Sequence, residues 1–397
     1  MTAASTGLGA PDLSDPDLYL AGPPHELFAE LRRTDPVHWQ PTASGGFWAV
    51  LRHADVEHVA RHPLLFSSSA GGVVLEDLDE PRLQQMRGML LAMDPPGHRE
   101  VRRPVVARLT PREVARLEDD IRTVCREIFT AVDGEVDFVT DVAAKLPTRV
   151  IGQLMGLPRA DWDRVHGLAE RITRGQDPAY ADDAESAGRA SQEMGLYAYE
   201  LAVARAGRPG DDLTSVLLEA HDPAAFASLF VQLVTAGQDT TATLLASGLL
   251  ALLQHPDQLA RLRAEHSLVP GAVEEMLRWS NPLHYFRRTA TEDTDLGGVR
   301  IRAGDKVAMY YTSANRDEDV FSDAQAFDPG RHPNRHLSFG IAEHFCVGAH
   351  LARLEARLFF TELLAEFTRI DPAGEPRRLR SNLNNAFRSV PVRLGRG

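Results

Sequence analysis

Lysine is almost missing from these 397 residues: Lys145 and Lys306 are the only two. Any positive patch must therefore be built from arginine, whose planar guanidinium suits carboxylates better than a point charge does. Positive charge is also outweighed, and the net charge of −13 argues against a nucleic-acid partner, which would want a basic face. Cysteine is equally scarce. Cys125 and Cys346 give no disulfide framework, and no Cys/His cluster has zinc-site spacing. No G-x-G-x-x-G follows a strand pattern, so no nicotinamide or flavin site is visible and electrons would have to come from another protein. Long apolar runs are lacking as well. Nothing approaches the length of a bilayer span, and Met1–Pro11 lacks the charged-then-apolar layout of a signal peptide. The expectation is a cytoplasmic monomer with no membrane anchor.

What the chain does have is concentrated in a few stretches. Leu337–Leu363 places Cys346 between a turn carrying Ser338, Gly340 and Gly348 and an amphipathic helix marked by Leu351, Leu354, Leu358 and Phe359. A thiol before a helix N-terminus meets the positive end of the dipole and free N–H donors, which favours thiolate. A single cysteine can equally be a small buried hydrophobe, as Cys125 within the helical pattern Leu117–Phe129 is read. The longest helical pattern, 224–255, is apolar on nearly every side, yet its middle reads Thr235-Ala-Gly-Gln-Asp239-Thr240-Thr241. Gly237 weakens that helix by about 1 kcal/mol relative to alanine, and the threonines can compete for carbonyls and open a kink. Local rules broken in this way point to a functional site or to a structural Asp–Thr pair. His98 and Arg102 lie four apart on one helix face, after Asp94-Pro95-Pro96-Gly97. Glu275-x-x-Arg278 is an i,i+3 pair that on a surface would stabilise by less than ~1 kcal/mol.

Phe339-Gly340-x-x-x-His344-x-Cys346-x-Gly348 resembles the haem-binding signature of the cytochrome P450 superfamily, the haem-thiolate monooxygenases. The resemblance runs from about Asp17 to Leu394, with its motifs in the family's order. It implies that Cys346 is the axial ligand of a haem b iron. Phe339 then packs near the sulfur, Gly348 leaves room for the haem, and His344 approaches a propionate. Ala342 stands where the family usually has glycine. By the same resemblance His98, Arg102 and Arg288 meet propionates, and Ala236-Gly-Gln-Asp-Thr is the oxygen-activating motif. Within it Ala236 borders the haem, Thr240 orders water and Asp239 relays protons. Glu275 and Arg278 are joined by Arg331 in a buried network. The pocket residues implied are Gln232, Thr235, Leu283, His284, Phe286, Leu383 and Asn384, of which Gln232, Thr235, His284 and Asn384 would make the cavity more polar than a hydrocarbon needs.

The fold implied is mostly α with small β-sheets, a single domain over 1–397 with the haem between the long central helix and the cysteine loop; residues 1–16 are read as a flexible N-terminal segment. Helices are expected at 25–33, from 53 to before Pro63, and at 112–132, 139–155, 161–174 and 184–206. Gly175-Gln176-Asp177-Pro178 is read as a hinge inside a lid. Strands are expected at 37–39 and 46–51, turning at Ala43-Ser44-Gly45, and at 299–302 and 306–311. A hairpin is expected over 381–394, and 73–93 reads as an irregular apolar wall. The resemblance implies hydroxylation of a small, largely apolar molecule: a steroid, terpenoid, branched lipid or secondary metabolite. Ferredoxin and ferredoxin reductase are the implied electron donors, docking on arginines such as Arg99, Arg103, Arg353 and Arg357. Oxidative coupling or desaturation, and a non-catalytic haem sensor, remain the alternatives.

Overall fold

The computed structural model describes residues 11–43 and 45–397. It begins with α1 (His25–Thr34), the hairpin β1 (Val37–Gln40) and β2 (Phe47–Val50), α2 (His53–Arg61) and β3 (Phe66–Ser67). Next come α3 (Glu80–Arg87), α4 (Gly97–Arg108), α5 (Pro111–Ala115) and α6 (Glu118–Thr130). Strand β4 (Gly134–Asp137) enters a π-helical turn, Phe138–Ala143, and then α7 (Lys145–Leu154). Helices α8 (Trp162–Thr173), α9 (Ser186–Arg205) and α10 (Leu213–Ala220) precede the longest, α11 (Pro223–Gln254). After α12 (Pro256–Ala264) and α13 (Val269–Ser280) come β5 (Tyr285–Ala290), β6 (Thr294–Leu296), β7 (Val299–Ile301), β8 (Lys306–Tyr310) and α14 (Tyr311–Ala314). The chain ends in α15 (Ala349–Glu366), β9 (Arg369–Pro372), β10 (Arg377–Arg378), β11 (Phe387–Ser389) and β12 (Pro391–Gly395).

Helix starts follow capping chemistry. The Asp222 carboxylate accepts from the N–H groups of Ala224 and Ala225, with Pro223 at the first position of α11. Asp79 and Asp212 cap α3 and α10 in the same way. With its start fixed, α11 runs through the core and packs against α7, α8, α9, α13 and α15. Phe226, Leu229, Phe230, Val234, Leu245 and Leu249 on it are all buried. The five-stranded sheet has the order β1-β2-β8-β5-β3, with only β2 and β8 parallel. On β5 the side-chain alternation sends Phe286 and Arg288 to one face and Arg287 to the other, where it reaches the Val74 carbonyl.

Several expectations change. The segment 73–93 contains a helix, α3, whose Asp79 cap and first-turn Pro81 are legible signals. The helix after Asp94 starts at Gly97, behind the two prolines. The pattern 112–132 breaks at Arg116–Leu117, between α5 and α6. The C-terminal strands do not form a hairpin: β11 pairs with β10, while β12 lies between β4 and β9. Val390 alone separates β11 from β12, too short a link for a hairpin turn. In the supposed flexible start, residues 1–10 lie outside the described residues. Leu13, however, is fully buried, and its carbonyl accepts from the hydroxyls of Tyr19 and Tyr310. Ser44 of the expected turn is also outside the described residues.

The Glu275 carboxylate sits at 0% exposure and is saturated. It accepts from Arg278 Nε and Nη2 at 2.8 and 2.7 Å, Arg331 Nε at 3.2 Å, Asn334 Nδ2 at 3.1 Å and the Asp328 N–H at 2.9 Å. Arg278 spends its other donors on the carbonyls of Asn315, Ala324 and Ala326. Breaking such a pair leaves a buried charge uncompensated. Glu275→Ala should therefore cost about 3–5 kcal/mol in guanidinium unfolding. Arg61→Ala, which removes an exposed pair with Glu57, should cost under about 1 kcal/mol. Similar losses in both variants would contradict this account.

Candidate active site

The loop before α15 is held from both sides. The Asn315 side chain accepts from the Leu337 N–H and donates to Ser338 Oγ, which in turn donates to the Leu277 carbonyl. The Cys346 N–H closes the loop on the Phe339 carbonyl at 2.7 Å. Ala342 has φ +57°, the left-handed conformation, which costs a non-glycine residue about 1–2 kcal/mol. Phe339 lies under the Arg353 guanidinium at 4.5 Å, and Arg353 is fixed by Glu274 at 2.7 and 2.8 Å. Cys346 lies deep in the protein, with its accessible surface facing an interior cavity. The expected thiolate preference is not met by the chain alone. Burial pushes the thiol up, against the opposing pull of the Gly348 N–H, Arg102 and Arg353.

Four basic side chains line the same cavity: His98, Arg102, Arg288 and His344. The His98 ring is buried, 3.0 Å from the Glu343 carboxylate and stacked on His344 at 4.4 Å. Arg102 donates to the Phe345 carbonyl, and His344 Nε2 lies 3.2 Å from Ser68 Oγ. Burial is the main cause that disfavours the charged form of each of the four. His344 is pushed down to about 2, with Arg288, His98 and Arg102 adding to the effect. Two guanidinium groups and two imidazole rings crowded in this way suit a group that brings its own carboxylates. A thiol opposite apolar walls suits a planar apolar group carrying a soft-ligand metal. The residues therefore fit haem, with Cys346 on the metal and the four basic side chains toward the propionates.

Across the cavity stands α11. It is helical throughout, and Gly237 allows close approach, since a Cβ there would lie 3.2 Å from the Ile151 side chain. Ala236 and Thr240 line the cavity, and Thr240 Oγ1 donates to the Ala236 carbonyl at 2.7 Å. Asp239 does not line it. Its carboxylate turns to the other side of α11 and accepts from Arg174 Nε and Nη2 at 3.0 and 2.9 Å. Arg174 is 2% exposed and is held further by Glu170 and Tyr180. Burial acts to lower its pKa, but Asp239 and Glu170 more than offset this and raise it.

Gln232, Leu283 and Phe286 line the cavity as expected from the sequence, and Thr235, His284, Leu383 and Asn384 do not. Thr235 Oγ1 is tied to the Val231 carbonyl of its own helix. His284 packs on Tyr19 and lies 3.1 Å from Thr312 Oγ1. Leu383 joins the cluster around Tyr285 and Tyr310, and Asn384 donates to the Thr173 carbonyl. The supposed lid hinge is pinned as well: Asp177 is fully buried, bonded to Arg388 and to the Arg380 N–H. Arg174, Glu343 and Ser68 carry no motif. Glu355 also lines the cavity; burial raises it to about 8, and its Oε2 has no partner among the described residues.

Comparison with known proteins agrees with this geometry. A family model described as cytochrome P450 matches residues 212–391. A steroid C26-monooxygenase of Mycolicibacterium smegmatis is 37% identical, over 96% of this chain and 93% of its own length. A methyl-branched lipid omega-hydroxylase of Mycobacterium bovis is 38% identical, over 92% of this chain and 90% of its own. The structure of a Mycobacterium marinum cytochrome P450 in complex with pseudoionone superposes with a TM-score of 0.91 at 38% identity, covering 98% of this chain and 100% of that one. Motif order, fold and full-length similarity therefore agree, and the chain belongs to the cytochrome P450 family of haem-thiolate monooxygenases.

Proposed function

We propose that this monooxygenase hydroxylates a C–H bond of a small, largely apolar molecule of the steroid, terpenoid or branched-lipid kind. The observation that carries the reading is the cavity wall. Leu90, Leu91, Leu233, Leu244, Leu283 and Phe286 line it, and of the four polar groups expected from the sequence only Gln232 remains. Gln232 Oε1 accepts from the Leu91 N–H at 3.4 Å, which leaves its amide N–H₂ as a polar handle. The names of the steroid and branched-lipid relatives agree with such a wall.

Thiolate-ligated haem supplies the iron that activates dioxygen, the sulfur donating electron density that favours O–O cleavage. The chain's own part is positioning and proton delivery. Cys346 holds the metal, while Arg102, Arg288, His98 and His344 orient the propionates. Thr240 Oγ1 can leave the Ala236 carbonyl to order a water, and Asp239 stands behind it at the outer end of the proton route. Arg174 holds the Asp239 carboxylate fixed, so a change of partner at Asp239 must accompany each transfer. Absorbance of the reduced, carbon-monoxide-treated protein should lie at about 450 nm and should vanish in Cys346→Ser but not in Cys125→Ala. Steroid, terpenoid and branched-lipid panels should shift the haem band and yield a product one oxygen heavier. A panel that binds only strongly polar compounds would overturn the substrate reading.

Thr240→Ala should still bind haem and substrate but release hydrogen peroxide at the expense of product. Asp239→Asn should slow turnover by about 10²-fold, the low end for a lost proton-transfer group. Normal coupling and rate in both would make the segment structural.

The reading includes ferredoxin and its reductase as electron donors in a reducing, cytoplasmic setting. It is supported by the two free cysteines and by the finding that no described helix is long and apolar enough to cross a membrane. Of the arginines expected to dock the carrier, Arg357 lies in a groove that suits this role. Arg99 is already paired with Glu343, and Arg353 with Glu274. A groove on the α15 side of the cysteine loop is lined by Arg335, His350 and Arg357, and the side chains of Arg335 and Arg357 are exposed. Arg335→Glu plus Arg357→Glu should slow first-electron transfer without changing substrate affinity. It should also remove most of the salt dependence, because steering is screened over about 10 Å at 0.1 M salt. Equal rates and salt slopes in stopped-flow reduction would exclude this groove.

A further inference from the structure

A second cavity, of about 70 Å³, lies away from the haem site where the start of α1, the ends of α11 and α13 and the strands β10 and β11 meet. Its wall carries His25, Ser247, Trp279, Arg316, Arg378 and Asn385. The chain as a whole has an excess of acid, but this wall has none. Two neighbouring arginines are matched: Arg32 by Glu318 at 2.9 Å and Arg278 by Glu275 at 2.7 Å. Among the described residues, Arg316 and Arg378 form no ion pair. Arg316 is 4% exposed, bonded to Gln325 Oε1 and the Trp279 carbonyl and stacked on the Trp279 ring at 3.5 Å. Arg378 is bonded to Asn385 Oδ1 and stacked on Phe387 at 4.5 Å. The amide and carbonyl partners take hydrogen bonds but supply no charge.

Polar atoms at the cavity are also left over. Arg316 Nε, Ser247 Oγ and His25 Nδ1 are buried without a partner among the described residues. Buried polar atoms are usually paired, and each exception calls for a partner that is not a side chain. A buried guanidinium needs more than a hydrogen bond, because desolvation penalises the charge itself. Burial lowers Arg316 to about 9 and Arg378 to about 10, and burial together with the arginines lowers His25 to about 3. The wall therefore has strong donors, surplus positive charge and space for a small ion with its water.

We propose that this cavity is a binding site for a small inorganic monoanion of halide or nitrate size, held by the Arg316 and Arg378 guanidinium groups and the Ser247 hydroxyl. The ion supplies the missing counter-charge where the N-terminal helix, the central helix and the C-terminal strands meet. It is structural, and it acts at a place separate from the haem, the proton route and the docking groove.

Bromide is the probe, used on the full haem-loaded chain, with sodium gluconate as the bulky replacement that keeps ionic strength fixed. Tm should rise with the logarithm of bromide concentration above Kd, by about 3 °C at a hundredfold excess over Kd. Crystals grown in bromide should show its anomalous signal within hydrogen-bond distance of Arg316 Nε and Arg378. Arg378→Gln should abolish the bromide-dependent rise. Ser247→Asp supplies a fixed carboxylate, so it should raise Tm in gluconate and remove the dependence on bromide. The second variant keeps the test decisive should the first fail to fold. A rise linear in bromide concentration with no break at a Kd, equal slopes in wild type and Ser247→Asp, or bromide found on the outer surface only, an adventitious ion only, would each overturn the proposal.

Discussion

The saturated carboxylate of Glu275 is the constraint on which the site depends. It fixes Arg278, and Arg278 fixes the backbone of Asn315. The Asn315 side chain then holds Leu337 and Ser338, and the cysteine loop hangs from those two residues. A metal ligand must be placed to within a fraction of an ångström by atoms that do not move. Here the rigidity is passed on from a buried ion network through one asparagine to Leu337 and Ser338.

The same principle separates the molecule's buried cations into kinds. Arg174 and Arg278 are buried with carboxylates and serve as fixed struts for Asp239 and Glu275. The four basic groups on the haem cavity are buried or half-buried, with Glu343 against His98, which leaves them able to meet the carboxylates that a haem brings. Arg316, buried, and Arg378, half-buried, meet neither carboxylate nor haem, and the surplus there points to a smaller anion. Where a charge is buried, the identity of its partner is informative, because desolvation demands one.

Much of the site is legible in the amino-acid sequence. The spacing around Cys346, the break of helical rules at Gly237–Thr241 and the His98/Arg102 pair each carry a local pattern, and all of them contribute to the cavity or to its immediate backing. Long helices such as α9 and α11 are legible to within a few residues because their apolar faces or caps repeat. The segments that mislead are those whose pairing is not local. The last strands read as a hairpin, yet β12 finds its partners in β4 and β9, and β4 lies far away in the chain.

The sequence by itself determined the family, the mostly helical class and the order of the motifs, since each rests on residue types at short spacing. Only the tertiary structure decided that Asp239 faces Arg174, 65 positions away, and not the cavity. Only it decided that His284 and Asn384 spend their polar atoms on Thr312 and the Thr173 carbonyl, leaving the cavity more apolar than its neighbouring sequence implied. The physical reason is common to all of these. Periodicity says which residues share a face, but the direction of a polar side chain is set by whichever distant partner satisfies it when water is excluded.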